Sequence, residues 1–269
     1  MYAPERHRAI LEAARVAGRV EVRTLARDLD VTPETIRRDL TSLERRGLLL
    51  RAHGGAVPIE RTTLEPTVDQ RDNESVPEKE AIAQAALKEI TKDLSIILDS
   101  GTTTMRLAQI LPSNLNLTVV TNSMPIAAHL AGKPGITLHV LGGHVRENTL
   151  AAVGPWAWDA LAHVSVDIAF IGANGITAER GLTTPDVDEA RVKSAFVEKG
   201  RRVIALADHT KFGREDFALV APMFAVDTII TDSGIDDEAA AHRDLVEAIV
   251  AGDADAASAA TRRNMDGLD

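Results

Sequence analysis

The stretch VTPETIRRDLTSLERRGLLLRAHGGA, Val31 to Ala56, decides how the first part of this chain folds. Thr32 supplies an oxygen that caps a helix, and Pro33 suits the first helical position, where a missing N–H costs nothing. Ile36, Leu40 and Leu43 follow at i, i+4 and i+7, one apolar stripe, and Gly47 ends the helix. Two short apolar runs then flank Arg51-Ala52-His53-Gly54-Gly55, which predicts a β-hairpin with a glycine turn. Upstream, helical patterns span about Glu5 to Ala17, stopping at Gly18, and about Val22 to Leu29. The short turn Asp30-Val31-Thr32 joins the second pattern to the third. This is the spacing of a helix-turn-helix with a β-wing.

The stripe leaves Glu34, Thr35, Arg37, Arg38, Thr41 and Arg45 away from the core. Such a helix presents its N-terminal residues to base edges in a major groove. The candidate DNA contacts are therefore Thr32, Thr35, Arg37, Arg38, Thr41 and Arg45, with Arg51 and His53 on the wing. Arginine pairs with guanine or with phosphate, and the sequence leaves that choice open. Net charge of the whole chain is -10, yet residues 1–57 carry +3 and the remainder -13. A small basic head on an acidic body suits a DNA reader joined to a part that binds something else. A plain helical bundle with solvated arginines, or a head that binds protein, is the alternative.

Residues 58–77, PIERTTLEPTVDQRDNESVP, are polar, hold three prolines and lack periodicity; a linker is expected there. Arg71 within it is open between a surface salt bridge and a ligand contact.

From Glu78 the pattern alternates. Strands are expected at Ser95–Leu98, Leu117–Thr121, Thr137–Leu141, Ile168–Ile171, Val203–Ala207 and Thr228–Thr231. Helices are expected at Lys79–Ile90, Thr104–Leu111 and Val187–Lys199. Alternation of this kind predicts an α/β domain over residues 78–235 with a mainly parallel sheet. Polar and glycine motifs follow five of the strands: Asp99-Ser100-Gly101-Thr102-Thr103, Asn122-Ser123, Gly142-Gly143, Gly172-Ala173-Asn174-Gly175 and Asp208-His209-Thr210-Lys211. The carboxyl ends of parallel strands share one edge, where ligands bind. Hydroxyls and backbone N–H groups at Ser100–Thr103, at the start of a helix, point to an anion such as phosphate. The Walker pattern is missing, which argues against a nucleoside triphosphate. Glu189 and Lys193 lie at i, i+4 and read equally as ligand contacts or as a solvent-exposed ion pair; Lys211 reads as a phosphate contact or a surface lysine.

The run from Val31 to Ala56, with nearly all of residues 5–57, closely resembles the N-terminal domain of the DeoR-type regulators of sugar metabolism. Thr32-Pro33 stands where serine is common in that family, which keeps the capping oxygen. The ordered motifs LDSGTTT, VVTNS, LGGHVR, AFIGANGI, EARVKSAF and ADHTKFG resemble its sensor domain across residues 78–232. The resemblance implies a fold similar to ribose-5-phosphate isomerase and glucosamine-6-phosphate deaminase. It also implies an effector that is a phosphorylated sugar or sugar alcohol, relieving repression at operator DNA. On that basis Asp99, Gly101, Thr102, Thr103, Asn122, Gly143, Gly172, Asn174, Glu189, Lys193, Asp208 and Lys211 become ligand candidates, beside Ser100.

An enzyme is the competing expectation. The loop Gly172–Gly175 resembles one that carries acidic residues in the isomerases; Asn174 and Gly175 stand there, and neither is a general base. Asp99, Glu189 and Asp208 remain as acids, but binding without turnover is favoured. Cysteine is absent, which excludes disulfides and thiolate metal sites and is compatible with a reducing cytoplasm. The eight histidines form no ligand cluster, and no cofactor or metal is expected. No apolar run reaches 18 residues, so no membrane partner is expected. A homodimer or homotetramer is expected. Trp156 and Trp158 read as packing or interface residues. Residues 236–250 read as a final helix and the tail from Gly252 as disordered, within a C-terminal segment 236–269.

Overall fold

A computed structural model describes residues 3–17, 19–45, 48–52, 54–58, 65–235 and 247–251. The contacts divide the chain into two units, residues 1–64 with 213–215, and residues 65–212 with 216–269.

In the first unit, α1 (Ala3–Ala17) is followed by β1 (Val20–Glu21), α2 (Val22–Asp28) and α3 (Pro33–Arg45). The hairpin strands β2 (Leu49–Ala52) and β3 (Gly55–Pro58) complete it. The predicted stripe forms the core: Ile36, Leu40 and Leu43 are fully buried against Ile10, Ala14, Leu25 and Leu49. Strand β1, which no sequence pattern announces, pairs antiparallel with β3 and turns the hairpin into a three-stranded wing. A Cβ at Gly55 would overlap the Val20 carbonyl oxygen, so only glycine admits that third strand.

The second unit begins earlier than expected. Residues 65–77 are not a bare linker: α4 (Val68–Asp72) starts from a capping box in which Thr67 and Gln70 satisfy each other's backbone N–H, and α5 (Val76–Leu87) follows. The prolines that suggested a linker sit before α4 and at the second position of α5, where a helix tolerates them. Residues 59–64 lie outside the described residues.

Thereafter come β4 (Ser95–Leu98), α6 (Thr102–Ile110), β5 (Leu117–Thr121), α7 (Met124–Leu130), β6 (Ile136–Val140), and the ribbon β7 (His144–Val145) with β8 (Ala152–Val153). Next are α8 (Pro155–Ala160), β9 (Val166–Gly172), β10 (Gly175–Thr177), β11 (Gly181–Thr184), α9 (Val187–Lys199) and β12 (Gly200–Leu206). The last strands are β13 (Ala218–Ala221), β14 (Thr228–Asp232) and β15 (Glu247–Ala251). Among the described residues one seven-stranded sheet runs β15-β14-β12-β9-β4-β5-β6, with every neighbouring pair parallel.

Burial alternates along the central strands. Ile96, Leu98, Phe170, Ile204 and Leu206 pack with α5, α6 and α7 through Ile82, Leu107 and Ile126. Ile97, Ala169, Ile171, Val203 and Ala205 pack with Leu182, Val192 and Phe196 on the other face. A sheet covered on both faces explains why these strands are continuously apolar in sequence.

The helix expected over 236–250 is corrected at its end. Glu247–Ala251 is a strand paired in parallel with β14 from Thr228↔Glu247 to Asp232↔Ala251. Ile249 and Val250 are β-branched, and the edge of β14 offers unpaired backbone groups; sheet pairing outweighs the helical bias of the alanines. Residues 236–246 and the tail from 252 lie outside the described residues.

Candidate functional site

Two surfaces collect the predicted residues, one in each unit. In the first, the capping reading of Thr32 is realised: its Oγ1 accepts the N–H of Thr35 at 3.2 Å. Arg37 and Arg38 project from the exposed face of α3, with Ile36 and Leu40 buried behind them. Arg37 Nη1 donates to Glu34 Oε2 at 3.1 Å, while Arg38 pairs with no described residue. Thr41 Oγ1 donates to the Arg37 carbonyl at 2.9 Å. Arg51, exposed on β2, donates from Nη1 to that same carbonyl at 3.2 Å and from its backbone N to Glu44 Oε1 at 3.0 Å. Arg51 of β2 is thereby held beside α3. His53 and the side chain of Arg45 lie outside the described residues.

In the second unit a cleft opens where β4, β9 and β12 end. Its floor is the turn into α6. Thr104 Oγ1 accepts the Gly101 N–H at 2.9 Å and donates to the Asp99 carbonyl at 2.6 Å, which pins Ser100 to Thr103 against the cleft. The first N–H groups of a helix have no partner within it, so this turn presents donors and positive potential.

Asp99 does not face the cleft. It is fully buried, and its Oδ2 accepts both the Gly172 N–H, at 2.9 Å, and the Lys193 ammonium. Lys193 also donates to the Gly172 carbonyl at 3.2 Å, so one lysine on α9 ties the tips of β4 and β9 together. The alternative of a solvent-exposed Glu189–Lys193 pair is therefore corrected: both are buried, and each has its own partner on another element. Glu189 Oε2 accepts from Arg146 Nη1 at 2.8 Å, and its Oε1 lies 3.5 Å from Ser100 Oγ. Burial pushes the Glu189 carboxyl above its ordinary range, against the pull of Lys193 and Arg146.

Gly172, Asn174, Asp208 and Lys211 also line the cleft. Asn174 Oδ1 accepts from Thr184 Oγ1 at 3.1 Å, and Asp208 Oδ1 accepts from the Thr210 N–H at 3.0 Å. Lys211 Nζ stands 3.8 Å from Asp208 Oδ2. Asn122 and Gly143 are not brought to the cleft. Asn122 is buried and its Nδ2 donates to the Ala152 carbonyl at 3.0 Å; a Cβ at Gly143, whose φ is +149°, would overlap the Val153 carbonyl oxygen. Both secure the passage from the sheet into β8.

Two cations of the cleft escaped the sequence reading or were left open by it. Lys79 on α5 is 3% exposed, with Nζ donating to the Glu74 carbonyl at 2.6 Å and to the Arg71 carbonyl. Desolvation lowers its pKa, Lys211 adds to the effect, and Asp208 opposes it. The signal was present: Lys79 shares the apolar face of α5 with Ile82, Ala83 and Ala86, an odd place for a lysine. Arg71, from the presumed linker, lines the same cleft, and its Nε and Nη2 are buried without a partner.

Trp158 packs beneath Arg191, whose guanidinium lies 4.1 Å from the ring centre, while Trp156 is exposed. His139 on β6 and His144 on β7 are both exposed. Among the described residues no group of three or more His, Cys, Asp or Glu could hold a metal, and no helix is long and apolar enough to cross a membrane.

Comparison with known proteins agrees with this division. The family model described as a DeoR-like helix-turn-helix domain matches residues 6–62, and that described as the DeoR C-terminal sensor domain matches residues 74–233. The HTH-type transcriptional regulator GlpR of Haloferax volcanii is 38% identical over 88% of this chain and 92% of its own length. The glycerol-3-phosphate regulon repressor of Escherichia coli K12 is 32% identical over 85% of this chain and 90% of its own. Among solved structures, ribose 5-phosphate isomerase A of Methanocaldococcus jannaschii aligns at 17% identity and a TM-score of 0.35, covering 50% of this chain and 53% of that one. That likeness is too slight to carry a functional argument.

Proposed function

Since this chain belongs to the DeoR family of helix-turn-helix transcriptional regulators, we propose that a phosphorylated sugar or sugar alcohol binds its strand-end cleft and releases it from operator DNA. The chain is a regulator and not an enzyme, as its relatives are named regulators and repressors.

The observation that carries the effector reading is the meeting of Arg71, Lys79 and Lys211 with the hydroxyl-bearing start of α6 in one cleft. Cationic side chains and unpaired helix N–H groups suit a phosphate. Glu189, Asp208 and Asn174, which line the same cleft, offer acceptors for sugar hydroxyls. Arg71 Nε and Nη2 lack partners, and a phosphate oxygen would supply them.

On the DNA side, Arg38 and Arg37 enter the major groove while Arg51 and the wing approach the phosphates, with Thr32, Thr35 and Thr41 near the base of the contact. The sensor units assemble as a homodimer or homotetramer and hold two heads at the spacing of operator half-sites, roughly 34–36 Å or a multiple. Effector favours an arrangement with a different spacing, and the shift cannot exceed its differential affinity, typically about 1–3 kcal/mol.

The test is operator binding by fluorescence anisotropy at fixed salt, with glycerol 3-phosphate and a panel of pentose and hexose monophosphates. At least one should weaken binding by roughly 5–150-fold. If the whole panel leaves the affinity unchanged, the effector reading fails.

A further inference from the structure

Arg146 stands outside the cleft, yet it touches both the cleft and the chain segment that arrives from the DNA-reading head. Its Nη1 donates to Glu189 Oε2 at 2.8 Å, and its Nη2 donates to Glu65 Oε2 at 2.7 Å. Asp186 Oδ2 lies 3.4 Å from Nη2. One guanidinium thus serves three carboxylates in a largely dry setting: the side chains of Glu65 and Glu189 are 5% and 3% exposed. Glu65 Oε1 is buried with no partner. Glu189, which lines the cleft, and Glu65, the first described residue after 59–64, therefore share one cation through its two Nη groups. Arg146 is itself held firmly: its N–H donates to the Ala151 carbonyl at 3.0 Å, and its carbonyl accepts from the Leu150 N–H at 2.9 Å.

The segment that Glu65 leads is also clasped by the same loop. The Val68 N–H donates to the Asn148 carbonyl at 2.6 Å, two residues from Arg146. Farther along, Asp72 is bound by Arg106, with Nη2 3.0 Å from Oδ1.

We propose that Glu65 and Arg146 are positioning residues that relay occupancy of the cleft to the segment 65–72, and so to the chain leading to the head. The relay rests on the cleft being the effector site. A sugar hydroxyl that donates to Glu189 Oε1 draws that carboxylate's charge toward the ligand. Arg146 then leans to Glu65, and the segment docks more tightly. Only arginine spans the two carboxylates, because its planar fork offers two separate Nη groups; a lysine is a single point charge.

Hydrogen exchange on the full chain without ligand tests the relay apart from the sugar. Glu189→Gln imitates a carboxylate whose charge has been taken up. It should slow exchange of the Val68 to Asp72 amides by about threefold or more, since tighter docking lowers the open population. In the double variant Glu65→Gln/Glu189→Gln the slowing should vanish, and Arg146→Lys/Glu189→Gln should behave likewise while keeping the positive charge. Unchanged or faster exchange in Glu189→Gln, or slowing that persists in both double variants, overturns the relay. With glycerol 3-phosphate and the sugar monophosphates as probes, Glu65→Gln should still bind the phosphate ester that the wild type binds, its affinity changed by no more than the lost coupling, yet lose the operator response. A wild-type protein indifferent to every probe sinks the effector reading instead, and the exchange result still decides the relay.

Discussion

Arg6 on α1 clasps Asp39 on α3 through two nitrogens, Nε to Oδ2 at 2.5 Å and Nη2 to Oδ1 at 2.9 Å, and His7 Nε2 adds a third contact at 3.0 Å. The face of α3 opposite its exposed arginines is thereby locked to the first helix. Burial alone would raise the Asp39 carboxyl; the bonds from Arg6 and His7 outweigh it and hold the carboxyl below its ordinary range. A carboxyl lowered in the folded state stabilises fully above its unfolded pKa of about 3.9, and that stability is lost as pH falls through the folded value. Asp39→Asn should therefore cost about 2–3 kcal/mol at neutral pH, a head transition lower by roughly 10 °C. Its stability should also vary less with pH below about 4 than that of the wild type. Melting followed by circular dichroism between pH 3 and 7 checks both; equal midpoints at pH 7 would show that the clasp adds nothing.

Arg38 differs from Arg37 in a way that separates their roles. Arg37 is drawn to Glu34, and its carbonyl receives Thr41 and Arg51, whereas Arg38 is exposed and pairs with no described residue. Arg38→Ala should leave the melting midpoint within about 2–4 °C, since surface changes of this kind stay near ±0.5 kcal/mol. It should weaken operator binding. A phosphate contact would lower the salt slope by about one; a guanine contact would relax one base position by about 1–3 kcal/mol. Binding isotherms at several salt concentrations with single-base operator variants tell the two apart, and wild-type affinity throughout would remove Arg38 from the interface.

Much of this architecture is written locally. Ile36, Leu40 and Leu43 announce α3 because a 3.6-residue period needs no tertiary partner to be seen. The central strands and the motifs after them are equally plain, since a sheet covered on both faces demands apolar runs with polar stops. What escaped depends on distant contacts. β1 is two residues long and exists only because Gly55 lets β3 approach. β15 reads as helix until β14 offers it an edge. In the cleft, Ser100 to Thr103 were legible from the strand-to-helix turn, while the partners of Glu189 and Lys193 were not, because Arg146 and Asp99 lie 43 and 94 residues away.

Gly143 illustrates the same division between motif and role. Its φ of +149° and the Val153 carbonyl that a Cβ would overlap make it a backbone requirement, and it lies outside the lining of the cleft. Gly143→Ala should destabilise the sensor domain by about 1–3 kcal/mol through forced backbone strain. The affinity of the folded variant for a sugar monophosphate should be unchanged by calorimetry. Loss of binding at wild-type stability would return Gly143 to the cleft.

Lys193 sits between Asp99 and the Gly172 carbonyl at the meeting of two strand tips. Its charge is 5% exposed and that of Asp99 fully buried, so neither finds compensation from water. Lys193→Met removes the cation and leaves Asp99 with the Gly172 N–H. Breaking a buried pair from one side costs roughly 3–5 kcal/mol, because the remaining charge is stranded. For a domain of this size that is a fall of roughly 10 °C in the sensor transition. Lys193→Met/Asp99→Asn should recover most of the loss, as removal of both charges leaves no stranded ion. Calorimetric melting of the two variants decides the matter. If the single variant melts with the wild type, or the double melts below the single, the pair does not hold the tips of β4 and β9 together, and the shape of the cleft must be maintained by other contacts.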